Sequence, residues 1–225
     1  MIAESQSKSE LLRRVLFGPL LTGEVYGRGY LRFGDYVVSL TRPGSARMPN
    51  GIECHVKVRS HDSVAVGGGH LLVGQTVISP GLEWDPVPSF KLRAVLPAGP
   101  VPLVTGSTGP GDRFMTSNDF VLAGYLAGLV LLHGQRERAH RMSEAAGARA
   151  NPLSATMFRH AAEGEVPKPV HELLATAEPR RVLANADSSG PAWLRGLVSA
   201  GYSIDIDALW GRAAGGLNLS IGETR

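Results

Sequence analysis

The stretch FVLAGYLAGLVLLHG, residues 120–134, decides how the chain is read. It is apolar from Phe120 to Leu132, yet shorter than the roughly 20 residues a helix needs to cross a bilayer. It is read as a buried helix, and no membrane partner is expected. Directly before it stands TGSTGPGDRFMTSND, residues 105–119, where glycine, proline and small polar residues lead into the helix start. That loop either holds an anion or serves as a joint, and the rest of the chain must discriminate between the two.

Upstream the period is that of strands. EVYGRGYLRF, DYVVSL, IECHVKVRS, SVAVGG, HLLVGQTVIS and FKLRAVL alternate or are β-branched, and turn formers such as Phe33-Gly34-Asp35 and Pro49-Asn50-Gly51 separate them. A short helix precedes them: Ser7 and Glu10 have capping-box spacing, Leu11, Leu12, Val15 and Leu16 form one stripe, and Pro19 ends it. Downstream the spacing is helical. One helix is expected from 118 to about 146 with Gly147 as its stop. LSATMFRHAAEG, PKPVHELLATA, GPAWLRGLVSAG and IDALWGRAAGG follow, with Gly164 and Gly201 where C-caps belong. The expected fold is α+β. An antiparallel-rich β lobe with a short N-terminal helix occupies 1–100, and a helical lobe with the glycine-rich loop occupies 101–225. LPAGPVPLVTG, residues 96–106, crosses between them.

A chain of 225 residues, 43% hydrophobic and 19% charged, can bury a core and is globular rather than disordered. Its 23 basic residues face 20 acidic ones, for a net charge of +3. The densest basic stretch, GQRERAHR at 134–141, holds no aromatic and reads as a solvated helix face, so no nucleic acid is expected as a partner. The single cysteine, Cys54, fits a reducing compartment. The N-terminal segment lacks the basic-then-apolar order of a signal peptide, and a cytoplasmic location is expected.

Seven histidines invite a metal, but no HExxH or paired-cysteine spacing appears, and neither metal nor cofactor is expected. There is no GxSxG elbow, and a lone cysteine in a β lobe reads as a small buried hydrophobe. The 105–119 loop is not a Walker motif, because Asp112-Arg113 replaces its GK[ST] ending. A loop entering a helix nevertheless exposes unpaired N–H groups and a partial positive charge, which suit carboxylate or phosphate. Gly106, Ser107, Gly109 and Gly111 would let a ligand reach backbone. Arg113 would add a two-pronged donor, and Ser117 and Asn118 would complete the cradle. Asp119 is the candidate for acid–base or orienting work. The competing reading is plain capping, with Ser117, Asn118 or Asp119 accepting the first-turn N–H groups. A second turn, NADSSGPAWLRG at 185–196, repeats the grammar and offers Asp187, Ser188, Ser189 and Gly190 as the opposite wall. Packing the two following helices side by side would bring both polar starts to one rim.

Four segments together resemble the oxamate carbamoyltransferase subunit family. TSNDFVLAG at 116–124 is similar to that family's stretch ending near PSGDDFLAG, and ADSSGPAWLRGL at 186–197 to its GHTSGAD block. LSATMFRHAAEGEVPKPVHELL at 153–174 and LLVGQTVISPGLEWDP at 71–86 resemble two further blocks. The resemblance implies carbamoyl transfer between a ureido acid and phosphate by an assembly of several subunits, with Asp119 and Asp187 as catalytic candidates. The chain departs from the pattern as well. Asn118-Asp119-Phe120 replaces Gly-Asp-Asp, Ala186-Asp187 replaces Gly-His, and Ala192 replaces an acid. Two functions are therefore expected: an enzyme or enzyme subunit acting on a small anionic carboxylate or carbamoyl metabolite, or a non-catalytic scaffold subunit with a degenerate pocket.

Overall fold

The computed structural model describes residues 1–27, 29–89, 98–99, 114–175 and 189–200. The fold is α+β. Among the described residues nine strands come first: β1 (Ser5–Ser7), β2 (Leu21–Gly27), β3 (Tyr30–Phe33), β4 (Tyr36–Thr41), β5 (Gly51–Glu53), β6 (Val64–Gly67), β7 (His70–Val73), β8 (Thr76–Ile78) and β9 (Leu82–Trp84). A helix, α1 (Glu10–Phe17), sits between β1 and β2. The others follow the sheet: α2 (Ser117–His133), α3 (Arg136–Gly147), α4 (Pro152–Ala162), α5 (Lys168–Ala175) and α6 (Ser189–Ser199).

The strands form one sheet in the order β8-β7-β6-β2-β3-β4-β5-β1-β9, antiparallel except where β4 meets β5 and β1 meets β9. Hairpins explain the antiparallel majority, since β3 and β4 are joined by only Gly34 and Asp35, with Phe33 opposite Tyr36. Gly34 takes φ 63°, the left-handed region that such a tight turn favours. The sheet curls until its ends meet. Ile2 bridges Ser79 in parallel, and backbone bonds run from Ala3 N–H to Ser79 O and from Ser79 N–H to Met1 O, each 2.9 Å. The curl encloses a core of Leu31, Phe33, Val38, Ile52, Val64, Val66 and Leu71, which α1 covers with Leu12 and Leu16.

β1 reads SQS, and all three residues are buried. A polar strand tolerates burial only when its groups are paired. Here Ser5 Oγ donates to Glu53 Oε2 at 2.6 Å, and Gly44 N–H and the Arg47 guanidinium donate to the same carboxylate at 2.8 and 2.9 Å. Burial alone would push the Glu53 carboxyl upward, but these three donors outweigh it and hold it below its ordinary range. A carboxyl depressed by folding adds stability above its unfolded pKa and loses it as pH falls through the folded value. Thermal stability should therefore fall as pH drops below about 4.5. Glu53→Gln should cost about 2 kcal/mol at neutral pH and show a flatter acid limb. Equal acid slopes for parent and variant would remove Glu53 from that transition.

Several local expectations are corrected. α1 starts at Glu10 with Ser9 as its cap residue, and Ser7 belongs to β1, so the Ser7–Glu10 capping box does not form. The IECHVKVRS strand stops at Glu53. The single helix expected over 118–146 is two: Gly134 adopts φ 64° and its N–H returns to the Leu129 and Val130 carbonyls, closing α2 before α3 begins. His133 and His140 thus stand on different helices. FKLRAVL, most of LPAGPVPLVTG and IDALWGRAAGG lie outside the described residues.

The helices share a second core around Tyr125, Leu126, Leu129, Met157, Phe158, Trp193 and Leu197. β4 joins the two cores. At Val37 it extends beyond its pairing with β5, and α4 and a loop replace the missing strand. Val37 N–H donates to Thr156 Oγ1 at 3.0 Å, and Asn50 Nδ2 donates to Val37 O at 2.7 Å.

Candidate functional site

The start of α2 is built by Thr116, one residue before the expected candidates. Its Oγ1 accepts from Asp119 N–H at 3.3 Å, while Asp119 Oδ2 accepts from Thr116 N–H at 2.7 Å and from Thr116 Oγ1 at 3.0 Å. This is a reciprocal capping box with Asp119 in the third helical position. Asp119 is wholly buried, so its carboxylate is held by the helix start rather than presented to solvent. Ser117 is exposed and Asn118 half-buried in the first turn. The helix start is capped, with Thr116 rather than Ser117, Asn118 or Asp119 taking the Asp119 N–H.

The second feature is how α2 meets α6. On α2 the small residues are Gly124 and Gly128, and on α6 Ala192, Gly196 and Ala200, each set spaced by four and so on one face. A Cβ built on Gly124 would lie 2.1 Å from the Trp193 carbonyl oxygen, and one on Gly196 only 2.0 Å from that of Val121. The helices touch backbone to backbone. Contacts rise together along both, from Gly124 against Trp193 to Gly128 against Leu197 and Ala200. Further along, His133 Nε2–H donates to the Ala200 carbonyl at 2.5 Å. The pair therefore runs parallel, and its N-termini, at Ser117 and Ser189, stand at the same end.

Two parallel helix starts put two partial positive charges at the same end, and at α2 the Asp119 carboxylate offsets the one on its own helix. Of the residues expected at the site, Ser117, Asn118 and Asp119 open α2, and Ser189 and Gly190 open α6. Gly106, Ser107, Gly109, Gly111, Arg113, Asp187 and Ser188 lie outside the described residues.

Sequence reasoning missed a second polar cluster. His160, in the last turn of α4, is wholly buried. Its Nδ1 lies 2.5 Å from Glu165 Oε2 and 3.2 Å from Ser9 Oγ, and its Nε2 lies 2.8 Å from Tyr36 Oη. Burial and the nearby Glu165 charge push the Tyr36 hydroxyl well above its ordinary pKa, with Arg159 opposing. The phenol keeps its proton and can donate it to Nε2, leaving Nδ1–H to donate to Glu165. This line ties the start of α1, strand β4 and the end of α4 together. All four side chains are buried, which makes the cluster an interlock rather than a place for a ligand. Its one readable signal is Gly164, whose φ of 82° turns the chain so that Glu165 folds back on His160.

Cys54 is buried in the sheet core, as a small hydrophobe would be, and burial raises its thiol pKa. Among the described residues no group of three His, Cys, Asp or Glu side chains could hold a metal ion, and no helix is long and apolar enough to cross a membrane. Compared with known proteins, the chain matches no family model, no curated protein and no solved structure.

Proposed function

We propose that the chain is an enzyme, or a subunit of one, that holds a small carboxylate- or carbamoyl-bearing metabolite at the shared N-terminal end of α2 and α6. The observation that carries this reading is the parallel, backbone-to-backbone packing of those helices, which turns both N-termini toward the same end. Carboxylate, phosphate and ureido groups all supply the acceptor oxygens that such donors take. The resemblance to the oxamate carbamoyltransferase subunit family points to the same class, with carbamoyl transfer between a ureido acid and phosphate as the reaction. In this reading backbone binds the anion and Asp119 orients the turn that presents it.

A second reading, a non-catalytic subunit of an assembly, draws on the full burial of Asp119 and its engagement in the cap. Asp119→Asn separates the two. The amide can still accept from Thr116 N–H, so helix stability should change by about 1 kcal/mol or less, while a lost carboxylate would abolish proton transfer. Unchanged turnover would take Asp119 out of the chemistry.

Binding itself has a cleaner test. Ser117 is the first helical residue, where proline is tolerated, and Thr116 before it is already extended at φ −88° and ψ 168°. Ser117→Pro removes one N–H donor without disturbing the helix. Thermal-shift titration with phosphate, carbamoyl phosphate, oxamate and ureido acids should find one ligand that stabilises the parent, by about 2.7 kcal/mol at 100 times its Kd. The variant should bind that ligand about tenfold more weakly, the worth of one charge-assisted hydrogen bond. Equal affinity would place the anion elsewhere.

A further inference from the structure

On the sheet-facing side of α4, away from both α2 and α6, a cavity of about 390 Å³ opens between the α3–α4 connection and the β3–β4 turn. That volume lies within the range of small-molecule sites. Its polar wall consists of Arg32, Asp35, Ser143, Glu144 and Arg159, and the remainder is glycine, alanine and proline. The charges are mixed. Arg159 Nη1 lies 2.8 Å from Asp35 Oδ2, its Nη2 donates to the Asp35 carbonyl, and its guanidinium sits 5.9 Å over the Tyr36 ring. Tyr36 is in turn fixed by His160, so Arg159 is held on a rigid support. Arg32 donates to the Gly34 carbonyl and to Glu24. Across from them, Glu144 makes no ion pair among the described residues. The Ser143 hydroxyl is buried in the wall without a hydrogen-bond partner there, an arrangement that costs roughly 1–3 kcal/mol when nothing answers it.

We infer that this cavity is a second ligand site, for a small zwitterion of the α-amino-acid class. A lone anion would meet two carboxylates, and a lone cation two guanidinium groups. A molecule carrying both charges a few bonds apart can set its carboxylate toward Arg32 and Arg159 and its ammonium toward Glu144. The walls of Gly147, Ala148, Ala150, Pro152 and Ala155 leave room for an aliphatic side chain. None of the lining residues belongs to the helix starts of the proposed anion site, so occupancy here is independent of that reading.

The test uses the full chain and three probes of one shape: L-leucine, 4-methylpentanoate, which lacks the amine, and 3-methylbutylamine, which lacks the carboxylate. Amide NMR should show L-leucine shifting signals in Ser143–Ala150 and Asp35–Tyr36, with a Kd of about 1 mM. The two single-charge probes should bind at least about tenfold more weakly. Glu144→Gln, an exposed change that leaves the fold intact, should erase the preference for L-leucine over 4-methylpentanoate. No shift with about 20 mM L-leucine, equal binding of all three probes, or an unchanged preference in Glu144→Gln would each overturn the assignment. Shifts confined to Ser117–Asp119 and Ser189–Gly190 would overturn it too, while leaving the anion site standing.

Discussion

Gly196→Ala is expected to lower stability by at least about 3 kcal/mol, a large share of the 5–15 kcal/mol that typically holds a domain together. The added methyl would fall 2.0 Å from Val121 O and 2.5 Å from Tyr125 N, both backbone atoms of α2. Backbone cannot swing aside as a side chain does, so α6 must move away and open the core around Trp193 and Tyr125. For a chain of this size the loss corresponds to roughly 6–12 °C in Tm, readable by circular dichroism. Gly147→Ala is the internal control, because its methyl would sit 3.5 Å from Ala155 Cβ, an ordinary contact. It should be neutral or slightly stabilising. A Gly196→Ala protein as stable as its parent would mean that the two helices do not approach so closely. The proposed anion site at the common end of α2 and α6 would then lose its support as well.

His160→Ala should be nearly as damaging, at about 3–5 kcal/mol. The change leaves the Tyr36 hydroxyl and the Glu165 carboxylate buried with no imidazole between them, and it cuts the tie between β4, α1 and α4 at one point. Tyr36→Phe removes a single hydrogen bond and should cost about 1–2 kcal/mol. Urea denaturation of both single variants and the double variant gives the coupling. If the network is one unit, the double variant should be clearly more stable than the sum of the singles implies. A His160→Ala variant within about 1 kcal/mol of the parent would show that the cluster fixes geometry without holding the fold.

The division into a strand-rich first half and a helical second half was readable because side-chain period changes near residue 117, and α2 was plain from its apolar length. Its end was not. The run of alanine and apolar spacing continues through HGQRERAH, so nothing local distinguishes Gly134 as a stop from a glycine carried inside a longer helix. β1 escaped because SQS has no apolar alternation. It is a strand because β5 and β9, with Glu53 answering Ser5 and Glu83 answering Gln6, satisfy it from a distance. The polar starts of α2 and α6 were visible in the letters as TSND and SSGP, while the expected meeting of the 105–119 loop with the SSGP turn involves residues outside the described ones. The small-residue rows that enforce the parallel contact, Gly124 and Gly128 against Ala192, Gly196 and Ala200, were also present in the letters. The His160 cluster could not be read, since Ser9 and Tyr36 lie 151 and 124 residues away along the chain.

The curl of the sheet also governs the order in which the protein can assemble. The strand SQS is synthesised before both of its partners, Gly51–Glu53 and Leu82–Trp84, so it must wait unpaired while the strands between are made. An apolar segment kept waiting in that way would be a sticky free edge, open to pairing with another nascent chain. Serine and glutamine wait harmlessly in water. Ser5 is then answered by Glu53 and Gln6 by Glu83, so the closing of the sheet is conditional on the arrival of both partner strands, which delays closure until the correct neighbours are in place.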